Sequence, residues 1–175
     1  GDNGISLRKK AMLLLGLKMG MRGSDIVRLR YDGINWDTAS IRFTQKKTDI
    51  EVNLPMPAEV GNALFRYITE ERKQKPGPDI FLGEKAPFCP VSRAVCREAL
   101  DSALPDRNVP GSGFHVMRKT YATGLLRNGV GADTVAEALG QRGTASVHRY
   151  LSLDEDRMRM CPLSLAENRI GGWDE

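Results

Sequence analysis

The sequence is poor in residues that cross-link a chain or bind metal ions. Its 175 residues include three cysteines and two histidines. The cysteines, Cys89, Cys96 and Cys161, are odd in number and form no CxxC pair, so neither a disulfide framework nor a zinc site is indicated. Asp and Glu do not cluster at the spacing of metal ligands. We therefore expect no metal ion and no other cofactor, and a reducing compartment such as the cytoplasm.

Long apolar runs and a large excess of one charge are also missing. The longest apolar run, AMLLLGL from Ala11, is far shorter than the roughly 20 residues of a membrane span, and nothing resembles a cleavable signal. The 26 Lys and Arg against 22 Asp and Glu give a net charge of +4. This balance favours an anionic partner but excludes a histone-like, purely electrostatic binder of nucleic acid. No membrane partner is expected.

The composition that remains, 41% hydrophobic and 27% charged, predicts one domain with a single core. Helical spacing of apolar residues over 6–19 predicts a first helix that Gly20 ends in the left-handed conformation. A second helix is predicted to begin at Ser24, as N-cap, and to run through DIVRLR. Arg22 then lies between two helices.

A change of period follows. The segments INWD, ASIRFTQ and IEVNLPM alternate apolar and polar residues, and KKTD between the last two predicts the turn of a hairpin. Further helices are predicted over 57–72, from Ser92, from the start of GFHVMRKTYATGLLRNG, and over 132–139 and 146–151. The fold class is therefore mainly α with a small antiparallel β-sheet.

Two arginines are placed where helices begin. In GFHVMRKTYATGLLRNG, His115 and Arg118 are three residues apart and share a helix face. Either His115 caps the first turn and Arg118 is a solvated charge, or the pair binds a phosphate through the planar guanidinium and the positive helix start. Arg22 precedes a helix N-terminus in the same way, and Asp25 is placed to orient it by a charge-assisted bond. An exposed Arg22 is the alternative.

Taken together, the segments around Arg22 and around His115 and Arg118 resemble those of a known protein family. MGMRGSDIVRL resembles the TGLRxSEIxxL segment of tyrosine recombinases, the phage-integrase family, with Arg22 at the first catalytic arginine and Asp25 at its acidic companion. HVMR is similar to the family's HxxR, with His115 and Arg118. The resemblance covers about residues 5 to 160 and implies the catalytic-domain fold of that family.

Two more segments carry the resemblance. ALGQRGTASVHRYL resembles the segment that ends in the family's nucleophilic tyrosine, here Tyr150, and TQKKTDIEV resembles the hairpin that carries its lysine, here Lys47, with Lys46 as the alternative register. Where the family usually has His or Trp after LG, this chain has Gln141, whose amide can donate a hydrogen bond but carries no charge or proton. His148 is interpreted as a surface residue.

The resemblance implies an enzyme that cleaves and rejoins DNA strands without a metal ion or ATP. Tyr150 would attack the phosphorus and form a 3′-phosphotyrosyl bond, and Lys47 would protonate the leaving 5′-oxygen. Arg22 and Arg118 would hold the non-bridging oxygens, with His115 and Gln141 as further donors.

The resemblance also implies partners: double-stranded DNA, and a homotetramer on two duplexes, with a monomer when free. Residues 1–175 are expected to form the catalytic domain, with a tail over 162–175 that docks on a neighbouring subunit or packs on its own domain. The N-terminal DNA-clamping domain of the family is not expected in this chain. The alternatives are a type IB topoisomerase-like enzyme, a DNA-binding protein with an inactive site, and an unrelated helical interaction domain.

Overall fold

A computed structural model of the chain describes residues 5–104 and 113–141. In chain order, the elements are α1 (Leu7–Met19), α2 (Gly23–Ile26), a 3₁₀ turn (Tyr31–Gly33), β1 (Ile34–Asn35), β2 (Ser40–Thr44), β3 (Glu51–Pro55), α3 (Ala58–Arg66) continued by a π-helical turn (Tyr67–Arg72), α4 (Ala94–Ala103), α5 (His115–Arg127) and α6 (Ala132–Ala138). The predicted class, mainly α with one small antiparallel sheet, is confirmed. None of the helices in the described ranges is long and apolar enough to cross a membrane.

Helix α1 is the centre of the fold and packs against α3, α4 and α5. Its apolar side is buried through Ala11, Met12 and Leu15. The helix ends as predicted at Gly20, where φ is +63°. A Cβ on Gly20 would lie 2.5 Å from a Tyr121 ring carbon, so both the backbone conformation and the packing of α5 require glycine there.

The second helix differs from the prediction. It has only four residues, its N-cap position is Arg22, and the Ser24 hydroxyl contacts the Asp25 carboxylate at 3.3 Å instead of capping the helix. The chain leaves the helix because its backbone pairs with a distant segment: the Leu29 carbonyl accepts from the Ile80 N–H at 2.9 Å. This tertiary pairing outweighs the helical spacing of the segment.

The sheet is antiparallel in the order β1-β2-β3. Ile41 of β2 pairs with Leu54 of β3, and both side chains are buried against the helices. The predicted turn between β2 and β3 is closed at its base, where the Gln45 N–H donates to the Ile50 carbonyl and the Asp49 N–H to the Gln45 carbonyl, both at 2.9 Å. The register of the sheet thus determines where this turn lies.

A second, smaller core joins α5 to α6. Its buried members are Ala122, Val135, Ala136 and Leu139. At its other end α5 contributes Phe114 and Met117 to the main core. Helix α5 therefore connects the main core to α6. The predicted helix over 146–151, Tyr150, His148 and the tail over 162–175 lie outside the described residues.

Arg72 organises the loop that follows the π-helical turn. Its side chain is buried, and its guanidinium donates to backbone carbonyls at 2.8 Å (Lys75, Gly77 and Asp79) and 3.1 Å (Ile80). The guanidinium carbon also lies 4.8 Å from the centre of the Tyr31 ring. One cation therefore satisfies the carbonyls of a loop that contains little regular structure.

Replacing this arginine tests its structural role. We expect Arg72→Met to lower the free energy of unfolding by about 3 kcal/mol or more, because each buried carbonyl left without a donor costs about 1–3 kcal/mol. Urea unfolding measures the change. The control is Arg66→Met on α3, whose arginine pairs with the exposed Glu70 and should give a much smaller loss. Equal losses in the two variants would contradict this role.

Candidate functional site

Arg22 lies at the junction of α1 and α2, two residues after the left-handed Gly20. Its backbone is extended, with φ −74° and ψ 144°, and its side chain is 18% exposed. One terminal nitrogen, Nη1, donates to the Gln45 side-chain oxygen and lies 4.0 Å from Asp25 Oδ2. The solvated alternative for Arg22 is therefore wrong.

Asp25 links Arg22 to the hairpin turn. Its side chain is 1% exposed, and Oδ1 accepts the backbone N–H of Lys46 at 3.1 Å. The other oxygen, Oδ2, has no hydrogen bond and faces Arg22. The carboxylate therefore links the hairpin turn to the start of α2 and forms an ion pair with Arg22 at 4.0 Å, without the hydrogen bond to Arg22 that the sequence predicts.

The two candidate lysines are neighbours in the turn between β2 and β3, and both are exposed. The turn is tied down through the Lys46 N–H to Asp25 and through the Gln45 backbone. The positive charge of Lys47 acts on His115, and the choice of Lys47 over Lys46 stays a prediction.

Arg118 is the largest fully buried side chain among the described residues, so the solvated alternative for Arg118 is wrong. Its Nη1 donates to the Gly20 carbonyl at 2.8 Å and its Nη2 to the Leu139 carbonyl at 2.5 Å. These carbonyls belong to the ends of α1 and α6, where helices leave acceptors without partners. The guanidinium meets two such ends at once because its donors are arranged as a rigid fork.

His115 is the first residue of α5 and is exposed. Neighbouring atoms still shield its ring enough that desolvation is the largest cause of a lowered pKa. The positive charges of Lys119, Arg118, Arg22 and Lys47 lower the pKa further. These residues come from three separate segments, α5, the junction of α1 and α2, and the hairpin turn, so the fold brings Arg22, Lys47, His115 and Arg118 together. A place with this excess of positive charge suits an anion.

Gln141 follows the end of α6 and is half-buried, and its N–H donates to the Ala136 carbonyl at 2.9 Å. It is three residues after the helix and two after Leu139, whose carbonyl binds Arg118. Tyr150 is outside the described residues. Within the described ranges, no three His, Cys, Asp or Glu side chains are grouped closely enough to hold a metal ion.

One residue of this site escaped the sequence analysis. Gln45 is 1% exposed, and its side chain contacts Arg22, Thr48 and the Leu139 carbonyl. In the sequence it stands in TQKKTD, a polar stretch that predicts an exposed turn. Its burial depends on α6, which is nearly a hundred residues away. The local signal for it was the glutamine in the family's hairpin pattern QxKT, which TQKKTD resembles.

With the geometry described, comparison with known proteins identifies the family. A family model described as the phage integrase family matches residues 2–157. The chain belongs to the phage integrase family. The fold agrees: the XerA recombinase matches at a TM-score of 0.72 with 21% identity, over 89% of this chain and 56% of that one. XerH bound to difH, in a pre-cleavage complex, matches at a TM-score of 0.73 with 16% identity, over 91% of this chain and 46% of that one.

Curated relatives differ in length from this member of the family. A candidate integrase/recombinase of Sinorhizobium fredii, y4gC, is 32% identical over 94% of this chain and 86% of its own length. Tyrosine recombinase XerD of Halalkalibacterium halodurans is 27% identical over 91% of this chain and 54% of its own length. A second S. fredii relative, y4rA, is 31% identical, and the chain spans 40% of its length. The chain thus corresponds to about half or less of two of these relatives.

The desolvation of His115 and the positive charges around it predict a lowered pKa for its imidazole. We expect the pKa of His115 in the folded chain to lie below the roughly 6.5 of an unperturbed histidine. As the pH falls through that value the unfolded chain binds the proton first, so the free energy of unfolding decreases. The measurement is an NMR titration of the imidazole, and His115→Gln identifies its signal, since the chain has two histidines.

Inorganic phosphate provides the second arm of this titration. An anion bound among the four cations offsets their repulsion, so we expect phosphate to raise the pKa of His115. A pKa at or above the ordinary value without phosphate, or no response to phosphate, would contradict an anion site here.

Because Arg118 is buried, we expect its replacement to lower the stability of the fold as well as any catalytic activity. We expect Arg118→Met to lower the free energy of unfolding by about 1–3 kcal/mol, because the Gly20 carbonyl loses its side-chain donor and the Leu139 carbonyl keeps one of two, Gln45. Urea unfolding checks this, with Lys119→Met, the adjacent cation on α5, as the control that should change much less. A wild-type stability for Arg118→Met would refute the bridge between the two helix ends.

Proposed function

We propose that the chain is the catalytic domain of a site-specific DNA recombinase or integrase that cleaves and rejoins DNA through a tyrosine nucleophile. The observation that carries the proposal is the hydrogen-bonded arrangement of Arg118, Arg22 and the Lys47 turn in a member of the phage integrase family: Arg118 binds the Gly20 carbonyl beside Arg22, and Arg22 binds Gln45 at the base of that turn. Three cations around one imidazole suit a phosphodiester as the bound group. A phosphodiester carries one negative charge, and more negative charge develops on its oxygens in the transition state.

The mechanism assigns each side chain a step. Arg22 and Arg118 hold the non-bridging oxygens of the scissile phosphate, and Gln141 donates a further hydrogen bond. Tyr150 attacks the phosphorus: a bond forms between its oxygen and phosphorus while the bond from phosphorus to the 5′-oxygen breaks. The tyrosine proton passes to His115, whose lowered pKa leaves it neutral and able to accept a proton at neutral pH.

The leaving group and the reverse step complete the cycle. Lys47 gives a proton to the departing 5′-oxygen, a contribution of roughly 10²–10⁴-fold. The 3′-phosphotyrosyl bond conserves the energy of the phosphodiester, so a 5′-hydroxyl of another strand can displace Tyr150 without ATP. Fixed guanidinium charges take the place of metal ions in stabilising the transferring phosphoryl group.

We propose double-stranded DNA as the partner and the cytoplasm as the location. Among structural relatives, XerH is described as bound to its difH substrate, and the Tn1549 integrase as bound to circular-intermediate DNA. The proposal extends to a homotetramer on two duplexes, as the family resemblance implies, with residues 162–175 as the segment that reaches a neighbouring subunit.

Covalent capture tests the proposed chemistry. The 175-residue chain is incubated with a library of nicked duplexes. After cleavage near the nick, the short fragment that carries the 5′-hydroxyl is lost, so the strand cannot be rejoined. SDS-resistant adducts are then isolated and their DNA is sequenced. We expect an adduct that survives EDTA, is absent in Tyr150→Phe and persists in Tyr121→Phe, the same chemical change in α5.

The alternatives predict different products. A topoisomerase-like enzyme would relax supercoiled DNA but would not join two duplexes. A DNA-binding protein with an inactive site would bind the same duplexes with steep salt dependence and yield no adduct, and Gln141, where the family usually has His or Trp, would then be the first position to restore. Absence of an adduct with every duplex that binds would reject the proposal.

A further inference from the structure

Gln45 lies where three segments of the proposed site meet. It follows β2 at the base of the turn that carries Lys47, and its side chain is buried. The side-chain oxygen, Oε1, accepts from Arg22 Nη1 and, at 2.9 Å, from the Thr48 hydroxyl. The side-chain nitrogen, Nε2, donates to the Leu139 carbonyl at 2.8 Å. One amide therefore contacts the first arginine, the lysine turn and the end of α6.

These contacts need both halves of an amide. Oε1 acts as an acceptor for two donors, and Nε2 acts as a donor to a carbonyl that also binds Arg118. A carboxylate at the same place would have no proton to give to Leu139, and an apolar side chain would remove all three of these hydrogen bonds. The chemistry of the pocket thus selects glutamine.

The surrounding backbone fixes the position of the amide. Gly140 has φ +57°, and a Cβ there would lie 2.5 Å from Gln45 Nε2. The amide is therefore packed directly against the backbone that leads from α6 to Gln141. Movement of the amide toward α6 is blocked, and its three hydrogen bonds define the remaining directions.

The direct hydrogen-bond partner of Arg22 is a neutral group, so the positive charge of Arg22 is not cancelled by this contact. The guanidinium nitrogen contacts the amide oxygen of Gln45, whereas the nearest carboxylate oxygen of Asp25 lies 4.0 Å away. An amide orients a guanidinium without cancelling its charge, and a close bidentate carboxylate would engage the same donors that a phosphate needs. Arg22 is therefore held in place and remains available to an anion.

We propose that Gln45 is a positioning residue of the cleavage site, which holds Arg22 and the Lys47 turn in register with the end of α6. This role rests on the proposed function and adds a residue that acts through Arg22 and Lys47 without touching DNA itself. It explains why a polar residue in a hairpin turn is more deeply buried than the lysines beside it.

The test compares two substitutions with a matched control. Gln45→Met keeps the volume and removes every side-chain hydrogen bond. Gln45→Glu keeps the acceptor and loses the donor, and its protonated form restores both. Tyr67→Phe is the control, because it removes a buried hydrogen bond, from the Leu82 N–H at 3.4 Å, in another part of the core.

The first readout is independent of catalysis. Arg22 and Lys47 both act on His115, so their displacement in Gln45→Met should raise the pKa of His115 measured by NMR, while Tyr67→Phe should leave it at the wild-type value. The second readout is the rate of adduct formation at saturating DNA. We expect it to fall by roughly 10- to 100-fold in Gln45→Met with little change in DNA affinity, since small displacements of reacting groups cost rates of this size.

The pH profile separates positioning from general loss of structure. In Gln45→Glu the deficit in rate should shrink as the pH falls, because the protonated acid reproduces the donor and acceptor of the amide. Wild-type values of both the His115 pKa and the adduct rate in Gln45→Met would overturn the proposal, as would losses equal to those of Tyr67→Phe. If Gln45→Met does not fold, the Gln45→Glu profile decides. If the wild-type chain forms no adduct, the proposed function fails and the His115 titration still tests Gln45.

Discussion

The Leu139 carbonyl at the end of α6 is the acceptor on which the site depends. It binds Arg118 from α5 and Gln45 from the base of the hairpin, at 2.5 and 2.8 Å. Arg118 also binds the carbonyl of Gly20, two residues before Arg22. A helix end exposes carbonyls that the helix cannot satisfy, and here two such ends become the anchors for side chains from two other segments, α5 and the hairpin. The need to satisfy buried backbone acceptors therefore places the cations.

Buried arginines serve the same purpose elsewhere in the chain. Arg72 collects the carbonyls of the loop after the π-helical turn, and Arg8 donates to the Leu82 carbonyl at 2.9 Å and to Glu84 at 2.8 Å. Arginine suits this task because its guanidinium group is planar, has five N–H donors and stays charged at any physiological pH. In the site, the same property has a second use: after Arg118 binds two carbonyls, its charge is not neutralised and still acts on His115.

Positive charge in the site is only partly offset by carboxylate. Asp25 is buried beside Arg22 but lies at 4.0 Å, and the direct partner of Arg22 is a neutral amide. Mutual repulsion among the cations is the electrostatic cost of this arrangement, and after desolvation these charges are the further cause of the lowered pKa of His115. An anion that enters removes the repulsion, so the arrangement favours binding of a phosphate over the empty state.

The sequence by itself determined the class of fold, the helix stop at Gly20, the hairpin and its turn, and the candidates Arg22, Lys47, His115 and Arg118, because each depends on local spacing or on a short motif. Tertiary structure decided the rest. Pairing of Leu29 with Ile80 shortened α2, and packing of α5 between α1 and α6 buried Arg118, which looked solvated in its own helix. Gln45 became part of the site only because Leu139 and Gly140 approach it from far along the chain. Local sequence patterns show the period of a helix or strand. They do not show which carbonyl, far along the chain, needs a hydrogen-bond donor.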